Sequence, residues 1–231
     1  GNIELQASRT ITTDDGADGN GGHVNLAVTS GSVSATVVGV DLTINTNGTG
    51  TAGNVDLGLF DNGGGQFVND LSINVSGTTA TGIVTLHQNI SLDDDNGAVA
   101  NGTATTFSVT GDGDIVASNT ITIDTEQGDD ANGGSVDFNN SDVSPDAANF
   151  SLTIDTSTGS AAHSGGNVML GAVNDSFSSG DFFDTLTIDL DSGVANPDVG
   201  TDGTLSFGRV DSTLSVDGVA ASQDTATILI S

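Results

Sequence analysis

Apolar and polar residues alternate along this chain in short bursts rather than in helical periods. An apolar residue, a hydroxyl residue, a mostly apolar residue and then Asp or Asn recur at Ile11-Thr12-Thr13-Asp14, Leu42-Thr43-Ile44-Asn45, Leu71-Ser72-Ile73-Asn74 and Ile90-Ser91-Leu92-Asp93. The phrase returns at Ile121-Thr122-Ile123-Asp124, Leu152-Thr153-Ile154-Asp155, Leu186-Thr187-Ile188-Asp189 and Leu214-Ser215-Val216-Asp217. Period-two alternation predicts half-buried strands, with first and third positions facing a core and second and fourth facing out. Successive copies begin 31, 29, 19, 31, 31, 34 and 28 residues apart, a spacing that marks each repeat as one layer of a stack.

A second strand phrase follows each tetrad, mostly after Gly, as in Gly21-Gly22-His23 before Val24-Asn25-Leu26 and Gly165-Gly166-Asn167 before Val168-Met169-Leu170. Ile3-Glu4-Leu5 is a further copy. Where the return to the next tetrad is longer, an extra apolar stretch appears, such as Val33 to Val40 or Ile115-Val116. Together these predict an all-β, parallel β-solenoid of about eight coils with two to three short strands per coil, continuous over residues 1–231 and continuing into a longer protein or filament. Tandem antiparallel β-sandwich domains are the competing all-β arrangement. Gly48, Gly77 and their equivalents are expected to serve turns through positive φ, and Pro145 and Pro197 to lie in turns.

Composition narrows the setting. The chain has 31 acidic residues, of which only Glu4 and Glu126 are Glu, against Arg9 and Arg209 and no Lys, for a net charge of -29. Nucleic acid and anionic membrane surfaces are thereby poor partners, since phosphate neutralisation needs clustered Lys or Arg. No apolar run reaches the roughly 20 residues that span a bilayer, so membrane insertion is not expected. Eight coils at about 4.8 Å each make a rod on the order of 38 Å carrying ~0.75 negative charge per Å, above the ~0.6 per Å of duplex DNA, so cations are the natural counterpart.

The acidic clusters that suit calcium are Asp14, Asp15 and Asp18; Asp93, Asp94 and Asp95; Asp112 and Asp114; and Asp129 and Asp130. Calcium takes six to eight oxygen ligands, which clustered carboxylates and turn carbonyls supply, although no cluster completes an EF-hand loop. His23, His87 and His163 show no zinc-protease or zinc-finger spacing and read as surface residues. Phe177, Phe182 and Phe183 mark a variable side, either filling the core or presenting a binding surface.

The recurring Leu-Thr-Ile-Asp and Gly-Gly-Asn-Val phrases resemble the β-solenoid repeat regions of large secreted bacterial surface proteins, of the filamentous-haemagglutinin-like adhesin and autotransporter-passenger type. That resemblance implies an extracellular or cell-surface structural segment: a stalk, fibre or filament subunit meeting neighbouring repeats or further copies end to end. A calcium-dependent module binding a glycan or surface protein is the alternative. A polysaccharide-active β-helix enzyme is disfavoured, because the chain has no Lys, Trp or Tyr to hold acidic or stacked sugars.

Overall fold

The computed structural model describes residues 1–13, 19–27, 30–62, 65–93, 104–127, 132–147, 150–158, 163–173, 183–191, 203–207 and 227–230. Among these the chain is a parallel β-solenoid with three faces and no helix. Strand β1 (Ile3–Leu5) lies on face three. The first turn places β2 (Arg9–Thr12) on face one, β3 (Val24–Leu26) on face two and β4 (Val33–Ala35) against β1 on face three. Next come β5 (Leu42–Asn45) and β6 (Val55–Leu57), with face three held through a bridge at Phe60. The third turn is β7 (Leu71–Asn74), β8 (Val84–Leu86) and β9 (Ile90–Ser91). The fourth is β10 (Thr106–Thr110), β11 (Ile115–Ala117) and β12 (Ile121–Asp124). In the fifth, β13 (Ser135–Pro145) crosses faces one and two as one strand before β14 (Ser151–Asp155) takes face three. The sixth repeats this with β15 (Val168–Val173) and β16 (Thr185–Asp189), and β17 (Leu205–Phe207) and β18 (Thr227–Ile230) extend faces one and three.

Every pairing between these strands is parallel, which rules out the antiparallel sandwich. Among the described residues five turns carry a strand on all three faces, fewer than the eight coils expected from counting tetrads. Two copies, at Leu71 and Ile90, share the third turn, and the copy at Leu214 lies outside the described residues.

The tetrads do not form one column. Those at Leu42 and Leu71 stack in β5 and β7 on face one, whereas those at Ile121, Leu152 and Leu186 stack in β12, β14 and β16 on face three. The 19-residue step between Leu71 and Ile90 is the cause. A tetrad strand, a corner and a Gly-led strand form a two-face module. In the first three turns the module fills faces one and two, leaving the spacer β4 or Phe60 on face three. At β8 the next tetrad follows with no spacer, so the module moves to faces three and one while β11 becomes the spacer on face two.

Two copies also sit two residues out of the expected register. Ile11 pairs with Ile44, the third position of its neighbour, and Ile90 pairs with Ile123. A slip of two preserves which side chains face inward, so the core accepts it. That core runs the length of the solenoid, with Leu42, Ile44, Leu71, Ile73, Ile121, Ile123, Leu152, Ile154, Leu186 and Ile188 all buried. Phe107 and Phe138 meet edge to face at 5.0 Å, and Phe183 is buried at 4%, a core filler rather than a surface.

The corner within each module explains its polar residues. After the tetrad, Thr46 and Thr156 turn inward and donate their hydroxyls to the carbonyls of Gly53 at 2.7 Å and Gly166 at 3.0 Å. A Cβ at Gly53 would run into the Gly22 carbonyl below it, and one at Gly166 into that of Gly134, so these glycines are required by close approach between turns. Gly48 and Gly77 likewise face backbone atoms and lack the expected positive φ, which among the described residues occurs at Gly19, Gly31, Gly39 and Gly111. Pro145 departs from its expected turn. It ends β13, buried opposite Ala117, and the Ala117 carbonyl takes its hydrogen bond from Asp146 N–H, so the missing proline N–H leaves that acceptor satisfied.

Candidate functional site

The fourth tetrad position, expected to form an outer charge ladder, mostly caps its own strand. Asp155 Oδ1 accepts from Ser157 N–H at 3.0 Å and from the Ser157 hydroxyl at 2.5 Å. Asp124 accepts from Glu126 N–H, Asp189 from Asp191 N–H, and Asn74 from Ser76 N–H in the same way. These are turns in which an Asx side chain stands in for a backbone carbonyl. Other amides reach the next turn: Asn20, Asn54, Asn89, Asn132 and Asn167 accept from the N–H groups of Thr51, Ile83, Thr122, Ser164 and Thr204. The hydroxyl ladder is present in part, with Ser108 donating to Ser72 at 3.2 Å on face one.

Of the residues expected to hold calcium, Asp14, Asp15, Asp18, Asp94, Asp95, Asp129 and Asp130 lie outside the described residues. Asp93 is buried at 2%, against the expectation that it faces out. The two-residue slip of its tetrad is responsible: Ser91 occupies the position paired with Asp124, and Asp93 falls beyond the strand into the corner. Asp112 is exposed and Asp114 half-buried; their backbone carbonyls accept from Thr81 Oγ1 at 3.4 Å and Val84 N–H at 2.9 Å. Among the described residues no three His, Asp or Glu side chains stand ready around one point as a metal shell.

Among the described residues, titratable side chains meet on face two, where Asn25, Asp56 and Thr85 align on consecutive turns. His23 precedes β3 and His87 follows β8, so the imidazoles lean toward Asp56 from opposite sides. His23 Nε2 is 3.0 Å from Asp56 Oδ2, and His87 Nε2 is 3.5 Å from Asp56 Oδ1. On the next turn Ser118 Oγ lies 2.7 Å from His87 Nδ1 and 3.3 Å from the Leu86 carbonyl oxygen. The imidazoles are 51% and 40% exposed and the carboxylate 20%, beside a cleft of about 530 Å³ also lined by Asn25, Thr85 and Gln88. Nothing in the local sequence links the two histidines. They are 64 positions apart, and only the stacking register brings them to one carboxylate.

Partial burial conditions one carboxylate. The Asp70 pKa is raised from 3.8, chiefly by desolvation, with a smaller push from Asp41; the hydrogen bond from Thr106 N–H to its Oδ1 at 2.7 Å opposes the shift. Comparison with family models, with curated proteins and with solved structures finds no match to this chain.

Proposed function

We propose that this chain is a non-enzymatic, extracellular structural segment: a length of surface stalk or fibre with an acidic, cation-attracting exterior. The observation that carries this reading is where the polar side chains are used. Asp and Asn cap strand ends or bind the next turn's backbone, and corner Thr residues satisfy glycine carbonyls, so the conspicuous polar repeats serve the stack itself. Strands β2 and β3 are the outer strands of their sheet, a geometry that suits coverage by neighbouring repeats or a second copy. Calcium is the proposed counterion, held by carboxylates of the exterior.

Solution scattering and electron microscopy of the whole chain test the reading together with incubation against neutral and acidic glycans. A stiff rod without depolymerisation is expected; sugar release from any glycan would overturn the non-enzymatic assignment. Melting with calcium and with EDTA at matched ionic strength tests the cation. Calcium bound to the folded state raises the transition by mass action, whereas identical curves would remove it as a structural ligand.

A further inference from the structure

We infer that the cleft on face two binds one ring of a neutral sugar, without a metal, through the donor–acceptor pair formed by His87 and Asp56. This goes beyond the stalk reading and does not rest on it. The cleft follows from the stacking register. Asn25, Asp56 and Thr85 form one outward row on β3, β6 and β8, and two positions later the ladder continues into a second row, Ala27, Gly58 and His87. The His87 N–H still donates to the Leu57 carbonyl there at 2.9 Å. Residues two apart in a strand share a face, so the second row also lies outward. Its first two members are small and Gly58 lies buried at the bottom, which leaves a trough of about 530 Å³ with polar walls, closed by His87 and bordered by Gln88.

The walls select hydroxyls rather than charge. His23 Nε2 meets Asp56 Oδ2 at 3.0 Å, an ordinary hydrogen-bond length, and so anchors the carboxylate from the side away from His87. His87 Nε2 stands 3.5 Å from Oδ1, too far for a strong bond between the two groups. Ser118 Oγ is 2.7 Å from His87 Nδ1 and 3.3 Å from the Leu86 carbonyl, so its proton goes to Nδ1 and the ring keeps its own on Nε2. A donor and an acceptor therefore stand side by side with slack between them. A hydroxyl serves both at once, accepting from Nε2–H and donating to Oδ1.

Other ligand classes fit less well. An ammonium or guanidinium group has no acceptor for the imidazole proton, while an anion has no donor for the carboxylate and meets a net charge of -29. Thr85 and Gln88 each offer a donor and an acceptor, and Asn25, whose Oδ1 accepts from Ala27 N–H, offers its amide hydrogens. Turns ~4.8 Å apart match the spacing of hydroxyls across a six-membered sugar ring. With no Trp or Tyr to stack on that ring, the expected Kd is on the order of 1–10 mM.

NMR of the labelled full chain in EDTA, titrated with the methyl glycosides of glucose, galactose and mannose, tests this. At least one should shift the His87 imidazole signals saturably, and the uronic acid of the same sugar should bind about tenfold more weakly. Asp56→Ala and His87→Ala should each weaken binding about tenfold. Ala27→Leu fills the trough without removing a hydrogen-bonding side chain and should abolish binding while leaving the melting temperature unchanged. Ser118→Ala, a positioning change, should move the His87 nitrogen shifts away from the Nε2–H tautomer and weaken the sugar severalfold; Ser118→Thr should restore both. Absence of a saturable shift up to ~100 mM glycoside would overturn the site. So would unchanged affinity in Ala27→Leu, equal binding of the uronic acid, or binding seen only when calcium replaces EDTA.

Discussion

Asp155 shows how a residue that looks like surface charge acts as a structural cap. Its Oδ1 holds both the N–H and the hydroxyl of Ser157, so the acceptor matters more than the charge. Asp155→Ala should lower the unfolding free energy by about 1 kcal/mol in urea titrations, while Asp155→Asn, which keeps the acceptor, should stay within about 0.5 kcal/mol. Gly166 is the contrary case, where an added methyl group has no room against the Gly134 carbonyl. Gly166→Ala should cost about 1–3 kcal/mol or more in the same assay, through forced separation of turns. Asp70 carries a pH signature. Because its folded pKa is raised, its stabilising contribution is complete below the unfolded value of 3.8 and is lost as pH rises through the folded value. Asp70→Asn should therefore be more stable than the parent at neutral pH, with the difference shrinking as acid protonates Asp70; urea midpoints of both chains across pH 3–7 measure it.

At the level of strands, alternation made the inward and outward positions legible, because period two is a local property of four residues. Leu152 and Ile154 face the core as their pattern requires, as do Leu42 and Ile44. Which face a strand occupies was not legible, since face depends on how much chain intervenes rather than on the phrase itself. The same blindness hid the His23–Asp56–His87 row, whose members carry no local signature and meet only once β3, β6 and β8 are stacked. Asp93 is hidden for a related reason: its tetrad is displaced by two residues, so its fourth position falls past the strand end into the corner, where alternation no longer sets burial. Hydrogen exchange should follow the same stacking. Amides of β12 and β14, flanked by strands on both sides, should exchange slowest, and those of β2, which is outermost and mostly exposed, fastest.

Across the whole molecule, charge and architecture pull in opposite directions. Stacking carboxylates on turns ~4.8 Å apart creates repulsion that only solvent, counterions and hydrogen bonds moderate. Raising NaCl from low to physiological concentration should raise the melting temperature, because screening acts on the folded rod more than on the expanded chain. A melting temperature indifferent to salt would mean that the carboxylates are neutralised locally.

The short step between Leu71 and Ile90 has a further consequence. It behaves like a phase slip in a screw thread: the core advances without interruption, yet the decorated surfaces beyond it are rotated by one side of the triangle. A solenoid built this way can aim successive patches in different directions by adding or omitting a handful of residues between strands. Nothing in its interior has to change, and no hinge is needed.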